Sequence, residues 1–197
     1  MIKRLFDIIL SIFGLIIISP LLLVIFILIK IFLPGPVFYI SNRVGRGGKL
    51  FKILKLRTMV VNADKLGGPS TAIDDPRLTR IGKFLKKFQL DELPQLINVL
   101  RGDMSFVGPR PEVPEEVATY NEEEKKILTI RPGMTDWASL WNFHEGEILK
   151  GSKNPHEDYR KIIKPEKIRL GLKYVENHSI LIDIKIILKT ILKVIKQ

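Results

Sequence analysis

Residues 8–29 read IILSIFGLIIISPLLLVIFILI, 22 consecutive positions without an ionisable side chain. As an α-helix the run would extend about 33 Å, close to the hydrocarbon thickness of a bilayer. It is too long for the apolar core of a cleaved signal peptide, and no small-residue cleavage site follows it. On hydropathy alone the simplest reading is a spanning anchor. Ser19-Pro20, near the middle, points elsewhere. Pro20 has no N–H, its ring crowds the carbonyl of Ile16, and it biases Ser19 away from helical backbone, so a sharp bend is expected there. The Ser19 hydroxyl can satisfy the freed carbonyl. Lys3 and Arg4 precede the run and Lys30 follows it, so the positive-inside signal does not separate two ends. The expectation is a re-entrant helix-break-helix over residues 1–33, entering and leaving one leaflet with both ends in the cytoplasm.

The rest of the 197-residue chain, 34–197, has material for one modest domain. Lys and Arg number 32 against 21 Asp and Glu, a formal charge of +11, which favours a polyanionic partner: anionic lipid, nucleic acid or a phosphorylated substrate. There is no cysteine, and the histidines are His144, His156 and His178. Disulfides, Cys-ligated zinc and thiol nucleophiles are therefore excluded, and any metal should be oxygen-ligated.

Pro34-Gly35-Pro36 closes the apolar segment. VFYISNRV and LFKILKLRTM, joined by GRGGK, read as a β-hairpin. The glycines do not make a phosphate loop, because the spacing is wrong and Leu50 follows Lys49 where Ser or Thr is required. Residues 62–78 read as a loop, with Thr79 an N-cap for an amphipathic helix in which Lys83, Lys86 and Lys87 alternate with apolar positions, as on an anionic membrane surface. The acids of PEEVATYNEEEKKIL, 114–128, read as a solvated helix face. Near the end, Lys185, Lys189, Lys193 and Lys196 share one face opposite Ile184, Ile187, Leu188, Ile191 and Ile195, a second candidate for the membrane surface. The expected class is α+β, mostly helical and membrane-associated, with a short hairpin and amphipathic interfacial helices.

FQLDELPQ, 88–95, sets Asp91 beside Glu92 in an apolar, proline-broken stretch of a basic chain. Either Asp91 caps a helix whose third residue is Pro94, or Pro94 kinks one continuous helix. A solvated N-cap is the plain reading of the acids. GPRP, 108–111, holds Arg110 in a stiff segment and RPG holds Arg131 in another, and arginine forks match phosphate oxygens. Carboxylates for Mg²⁺, arginines for phosphate and a membrane segment together point to phosphoryl transfer to or from a lipid. No nucleic-acid module is present.

LDELPQL, RGDMSFVGPRPE and RPGMT, with KLRTM and DDPRLTRIG upstream, resemble the bacterial sugar transferases that are monotopic phosphoglycosyl transferases. The resemblance runs from the Ser-Pro segment to about residue 137. It implies a ping-pong reaction in which Asp91 attacks the diphosphate of a UDP-sugar, UMP leaves, and the phosphosugar passes to a polyprenol phosphate, opening surface-glycan assembly at the cytoplasmic face of a bacterial inner membrane. On this resemblance Asp91 is nucleophile and Mg²⁺ ligand, and Glu92 assists the acceptor as a base, its protonation coupled to that of Asp91. Lys55 and Arg57 of KLRTM, with Arg110 and Arg131, are expected to bind phosphate or substrate. Anionic lipids are expected partners and nucleic acid is not; a homo-oligomer is left open. The competing enzyme class is a nucleotide-sugar hydrolase. Two features depart from the family pattern. Gln89 stands where Ser is usual, and TDWASLWNF replaces the usual Thr-Gly-Trp-Ala-Gln run, so Asp136, Ser139, Trp141 and Phe143 leave the sugar unassigned.

Overall fold

In the computed structural model, which describes residues 2–196, the apolar run lies in one helix, α1 (Ile2–Phe32), the one helix among the described residues long and apolar enough to cross a membrane. The expected division into two helices is absent at this level: Pro20 sits inside α1. Ser19 Oγ donates to the Ile16 carbonyl at 2.8 Å, the acceptor that Pro20 leaves unpaired, and this local repair lets helical backbone continue. Most of α1 presents apolar side chains outward; Phe13, Ile16, Ile17, Leu23 and Phe32 are each at least 60% exposed. A surface of this kind is built for lipid or another apolar partner.

Both ends of α1 dock on the same body. Near its start Lys3 Nζ reaches Asp183 Oδ2 at 2.5 Å and the Val107 carbonyl at 3.1 Å, Arg4 Nη2 donates to Leu100 O at 2.7 Å, and buried Asp7 accepts from Ser105 Oγ at 3.0 Å. At its end Arg57 donates to the carbonyls of Leu33 and Pro34, at 2.5 and 2.9 Å. Between these, Leu22, Ile25 and Ile29 share a core with Leu56 and Leu85.

The expected hairpin is present. β1 (Phe38–Val44) and β2 (Leu50–Leu56) pair antiparallel from Phe38↔Leu56 to Val44↔Leu50, and the turn uses left-handed backbone at Gly47 and Gly48, which glycine adopts at no steric cost. Helix α2 (Arg80–Lys87) is capped by Thr79 Oγ1, which accepts from Gly82 N at 2.9 Å. A Cβ on Gly82 would lie 1.8 Å from the Thr58 carbonyl, so that face of α2 is pressed against the chain leaving β2. A 3₁₀ turn at Leu90–Glu92 leads to α3 (Gln95–Arg101), and a short parallel pair, β3 (Ser105–Val107) with β4 (Gly133–Thr135), follows.

The 114–128 stretch is not one helix. It forms α4 (Pro114–Val117) and a 3₁₀ segment at Glu124–Thr129. Glu122 and Glu123 are exposed as expected, but Glu116 is buried among Arg160, Lys164 and His156. After β4 come α5 (Trp137–Trp141), α6 (Glu145–Ile148), α7 (Pro155–Asp158), a π turn, α8 (Lys164–Asn177) and α9 (Ile180–Ile195). The amphipathic terminal helix is therefore present. Two of its lysines, however, turn toward the domain: Lys193 donates to Leu140 O at 2.6 Å and Lys189 lies over the Trp137 ring, while Leu181, Leu188, Ile191 and Ile195 face outward.

Candidate active site

The acidic pair sits on the 3₁₀ turn between α2 and α3, so neither expected backbone arrangement holds. Gln89 enters the turn with left-handed backbone (φ 54°), and α3 begins only at Gln95. Asp91 is not an N-cap. It is 6% exposed, and its carboxylate accepts no hydrogen bond among the described residues. Glu92 is held firmly: Lys55 Nζ donates to Oε1 at 2.9 Å, and Arg110 binds through both terminal nitrogens, Nη1 to Oε2 at 2.9 Å and Nη2 to Oε1.

The two carboxyls are pushed apart in acidity. Burial, then the neighbouring charge of Glu92, raise Asp91 above the ordinary carboxylate value, partly opposed by Lys55, Lys86 and Arg110. Burial would also raise Glu92, but Arg110 and Lys55 outweigh it and hold that carboxyl well below the usual range. Arg110 is correspondingly raised: Glu92 overcomes the effect of burial. The site thus pairs one unengaged, desolvated carboxylate with one locked carboxylate and a group of cations.

Of the candidates from sequence, Asp91, Glu92, Lys55 and Arg110 come together. Arg57 does not join them, since both its terminal nitrogens are committed to Leu33 and Pro34 carbonyls, where it clasps the end of α1. Arg131 also lies elsewhere, its Nε donating to Gly102 O at 2.9 Å just past the C-terminus of α3. Close packing of the two rigid turns explains why only one arginine reaches the acids: Gly133 N donates to Pro109 O at 3.1 Å, and a Cβ on Gly133 would come within 2.1 Å of Gly108 N. GPRP and RPG therefore brace each other, and Arg110 emerges beside Glu92.

Lys86 belongs to the site although its sequence position suggested a membrane-facing stripe with Lys83 and Lys87. Those two are exposed and Lys86 is half-buried, near enough to Asp91 and Lys55 for their charges to act on it; burial lowers its pKa and Asp91 opposes that. The signal was available in Gly82, four residues earlier on the same helical face and pressed against Thr58. Arg43 of β1 also lies near: burial lowers its pKa, and Glu112, Arg110 and Glu92 are among the charges acting on it. Nothing about a strand arginine in the sequence marked it.

A desolvated carboxylate without internal partners, faced by lysines and an arginine at the foot of an apolar helix, is an arrangement suited to receiving an anionic group. The chain belongs to the bacterial sugar transferase family, whose sequence model matches residues 1–197. It is 37% identical over 193 residues to the UDP-N-acetylgalactosamine-undecaprenyl-phosphate N-acetylgalactosaminephosphotransferase of Aeromonas hydrophila, covering 96% of this chain and 43% of that protein. It is 37% identical over 204 residues to the exopolysaccharide production protein ExoY of Sinorhizobium fredii, covering 96% of this chain and 83% of that protein. It is 36% identical over 201 residues to the UDP-glucose:undecaprenyl-phosphate glucose-1-phosphate transferase of Escherichia coli, covering 98% of this chain and 40% of that protein. The chain thus spans less than half of two of these relatives. Near-equal identity to proteins named for different sugars does not select one.

Proposed function

We propose that the protein transfers a sugar 1-phosphate from a UDP-sugar to polyprenol phosphate at the cytoplasmic face of the bacterial inner membrane, as an early step of surface-glycan assembly. The observation that carries this reading is Asp91, buried and without a hydrogen-bond donor, with Lys55, Lys86 and Arg110 acting on it. A carboxylate left bare at this cost in solvation is set up to attack. Its oxygen bonds to the sugar-bearing phosphorus, the bond to the bridging oxygen breaks, and UMP leaves with that electron pair. A phosphate oxygen of the polyprenol phosphate then attacks the same phosphorus and expels the Asp91 carboxylate, giving a polyprenyl diphosphate sugar.

Glu92 is better suited to holding Arg110 and Lys55 in place than to taking a proton, because a carboxylate so far below its usual range is a weak base. Among the described residues no group of three or more acidic or histidine side chains gathers for a metal. Asp91 nevertheless fits Mg²⁺ as the single protein carboxylate, with substrate phosphate and water completing the shell. When bound, Mg²⁺ supplies charge that offsets the diphosphate.

Docking of both ends of α1 on one body supports a helix that enters and leaves the same leaflet. Exposed Lys83 and Lys87 suit anionic headgroups. Release of UMP from a panel of UDP-sugars, with and without undecaprenyl phosphate, tests the reading. Sustained release only with the lipid is expected; equal sustained release without it makes the protein a hydrolase.

A further inference from the structure

The segment after β4 carries polar groups that the two displacements leave unused. Asp136 fixes the first turn of α5 by accepting from Ser139 N at 2.6 Å. Ser139 lies on α5, Asn142 follows its last residue and Glu145 opens α6, and Asn142 Nδ2 donates to Glu145 Oε2 at 3.0 Å. Ser139 Oγ and Asn142 Oδ1 are buried without a partner among the described residues, and Asn142 as a whole is only 7% exposed. Unpaired buried polar atoms are rare because they are costly, so two in one short segment point to a ligand that completes them.

The segment borders the cations of the site. Arg110 Nη1 lies 3.4 Å from the carbonyl of Met134, two residues before Asp136, and the charge of Glu145 acts on both Arg110 and Lys86. From the outer side the 62–78 loop is laid on α6: Ile73 N donates to Gly146 O at 2.9 Å, and a Cβ on Gly146 would meet Ile73 N at 3.1 Å. Glu145 thus begins the helix on which that loop rests, and its charge reaches Arg110 and Lys86.

We propose that Ser139, Asn142 and Glu145 form the subsite for the sugar ring of the donor, taking hydrogen bonds from its hydroxyl groups. This rests on the transferase reading above. Asn142 Oδ1 and the Glu145 carboxylate are acceptors for O–H groups, and the Ser139 hydroxyl gives or takes a bond. A neutral sugar satisfies all three. A uronic acid sets its own carboxylate against Glu145 and is rejected.

The test is kcat/KM for UMP release, with undecaprenyl phosphate present, on UDP-glucose, UDP-galactose, their N-acetylamino forms and UDP-glucuronate. The wild type is expected to use glucuronate at least about ten-fold less well than its preferred neutral sugar, and Glu145→Gln to narrow that ratio by about ten-fold. Ser139→Ala and Asn142→Ala should change the ratios among the neutral sugars. Equal losses on every sugar, in variants that melt with the wild type, overturn the subsite and leave the transferase reading standing. Absence of UMP release from every UDP-sugar in the wild type overturns the transferase reading, and the subsite with it. If Asn142→Ala does not fold, Ser139→Ala, which removes a single atom, decides on the same ratios.

Discussion

In the proposed reaction Asp91 is the residue on which the chemistry turns, and its surroundings make its replacement informative. Asp91→Asn keeps the shape, loses the nucleophile and relieves a buried charge, so turnover should fall roughly 10⁴-fold or more while the melting temperature holds or rises; near-normal turnover removes Asp91 as nucleophile. The ionised carboxylate is the attacking form, so activity should rise with pH through its pKa, which burial and Glu92 place above the ordinary carboxylate value. Lys86 acts downward on that pKa, so Lys86→Met should move the acid limb of the pH-rate profile to higher pH; an unmoved limb would separate Lys86 from Asp91. The two arginines should part company. Arg110→Lys loses the fork on Glu92 and should cost roughly ten- to a hundred-fold in kcat/KM, whereas Arg57→Lys should lower the melting temperature and leave KM for the donor alone. At this scale the acids and Arg110 stood out because adjacent carboxylates and a proline-stiffened arginine are unusual in themselves, while their roles, and Lys55 altogether, came from the family resemblance. Where Arg57 and Arg131 lie was not legible, because sequence cannot say which guanidinium meets a carbonyl before it meets a phosphate.

At the scale of elements, α1 shows how far one proline can be repaired. The Ser19 hydroxyl on the Ile16 carbonyl replaces the bond Pro20 cannot make, so the Ser-Pro pair was correctly located in sequence while the break it implied was not. Topology is settled by accessibility. Single cysteines at Ile2 and Lys30, both exposed in a chain otherwise free of thiols, should both resist an impermeant reagent in intact cells and both react in opened ones. Labelling of position 2 from outside, with position 30 protected, makes α1 an ordinary spanning anchor. The hairpin, the Thr79 cap and the terminal amphipathic helix followed directly from alternation, turn glycines and helical spacing. The stretch 114–128 misled because its acids satisfy a surface pattern while Glu116 is buried beneath cations from α7 to α8, a long-range pairing no local pattern contains.

Across the whole molecule the apolar helix and the reactive turn share one core. Leu22, Ile25 and Ile29 pack with Leu56 and Leu85, and Leu90 and Leu93, on either side of the acidic pair, pack against the same group. With α1 in the bilayer as proposed, its depth would set the height of Asp91 above the membrane, which suits an acceptor whose phosphate rides at the interface and whose chain stays in lipid. The proposed reaction needs the charge of its UDP-sugar met at that height, so EDTA should stop turnover and Mg²⁺ restore it; full activity in EDTA would leave the lysines and Arg110 to do this alone. The central claim is that the phosphosugar rests on Asp91 between two displacements. Intact-protein mass spectrometry after mixing purified protein with its UDP-sugar, in the absence of polyprenol phosphate, tests it most directly. The account predicts a gain equal to one sugar phosphate, mapped to the peptide carrying Asp91, formed together with a single equivalent of UMP, absent in Asp91→Asn and discharged when polyprenol phosphate is added. Unmodified protein, with UMP appearing only after the lipid is supplied, would mean direct transfer between substrates and contradict it.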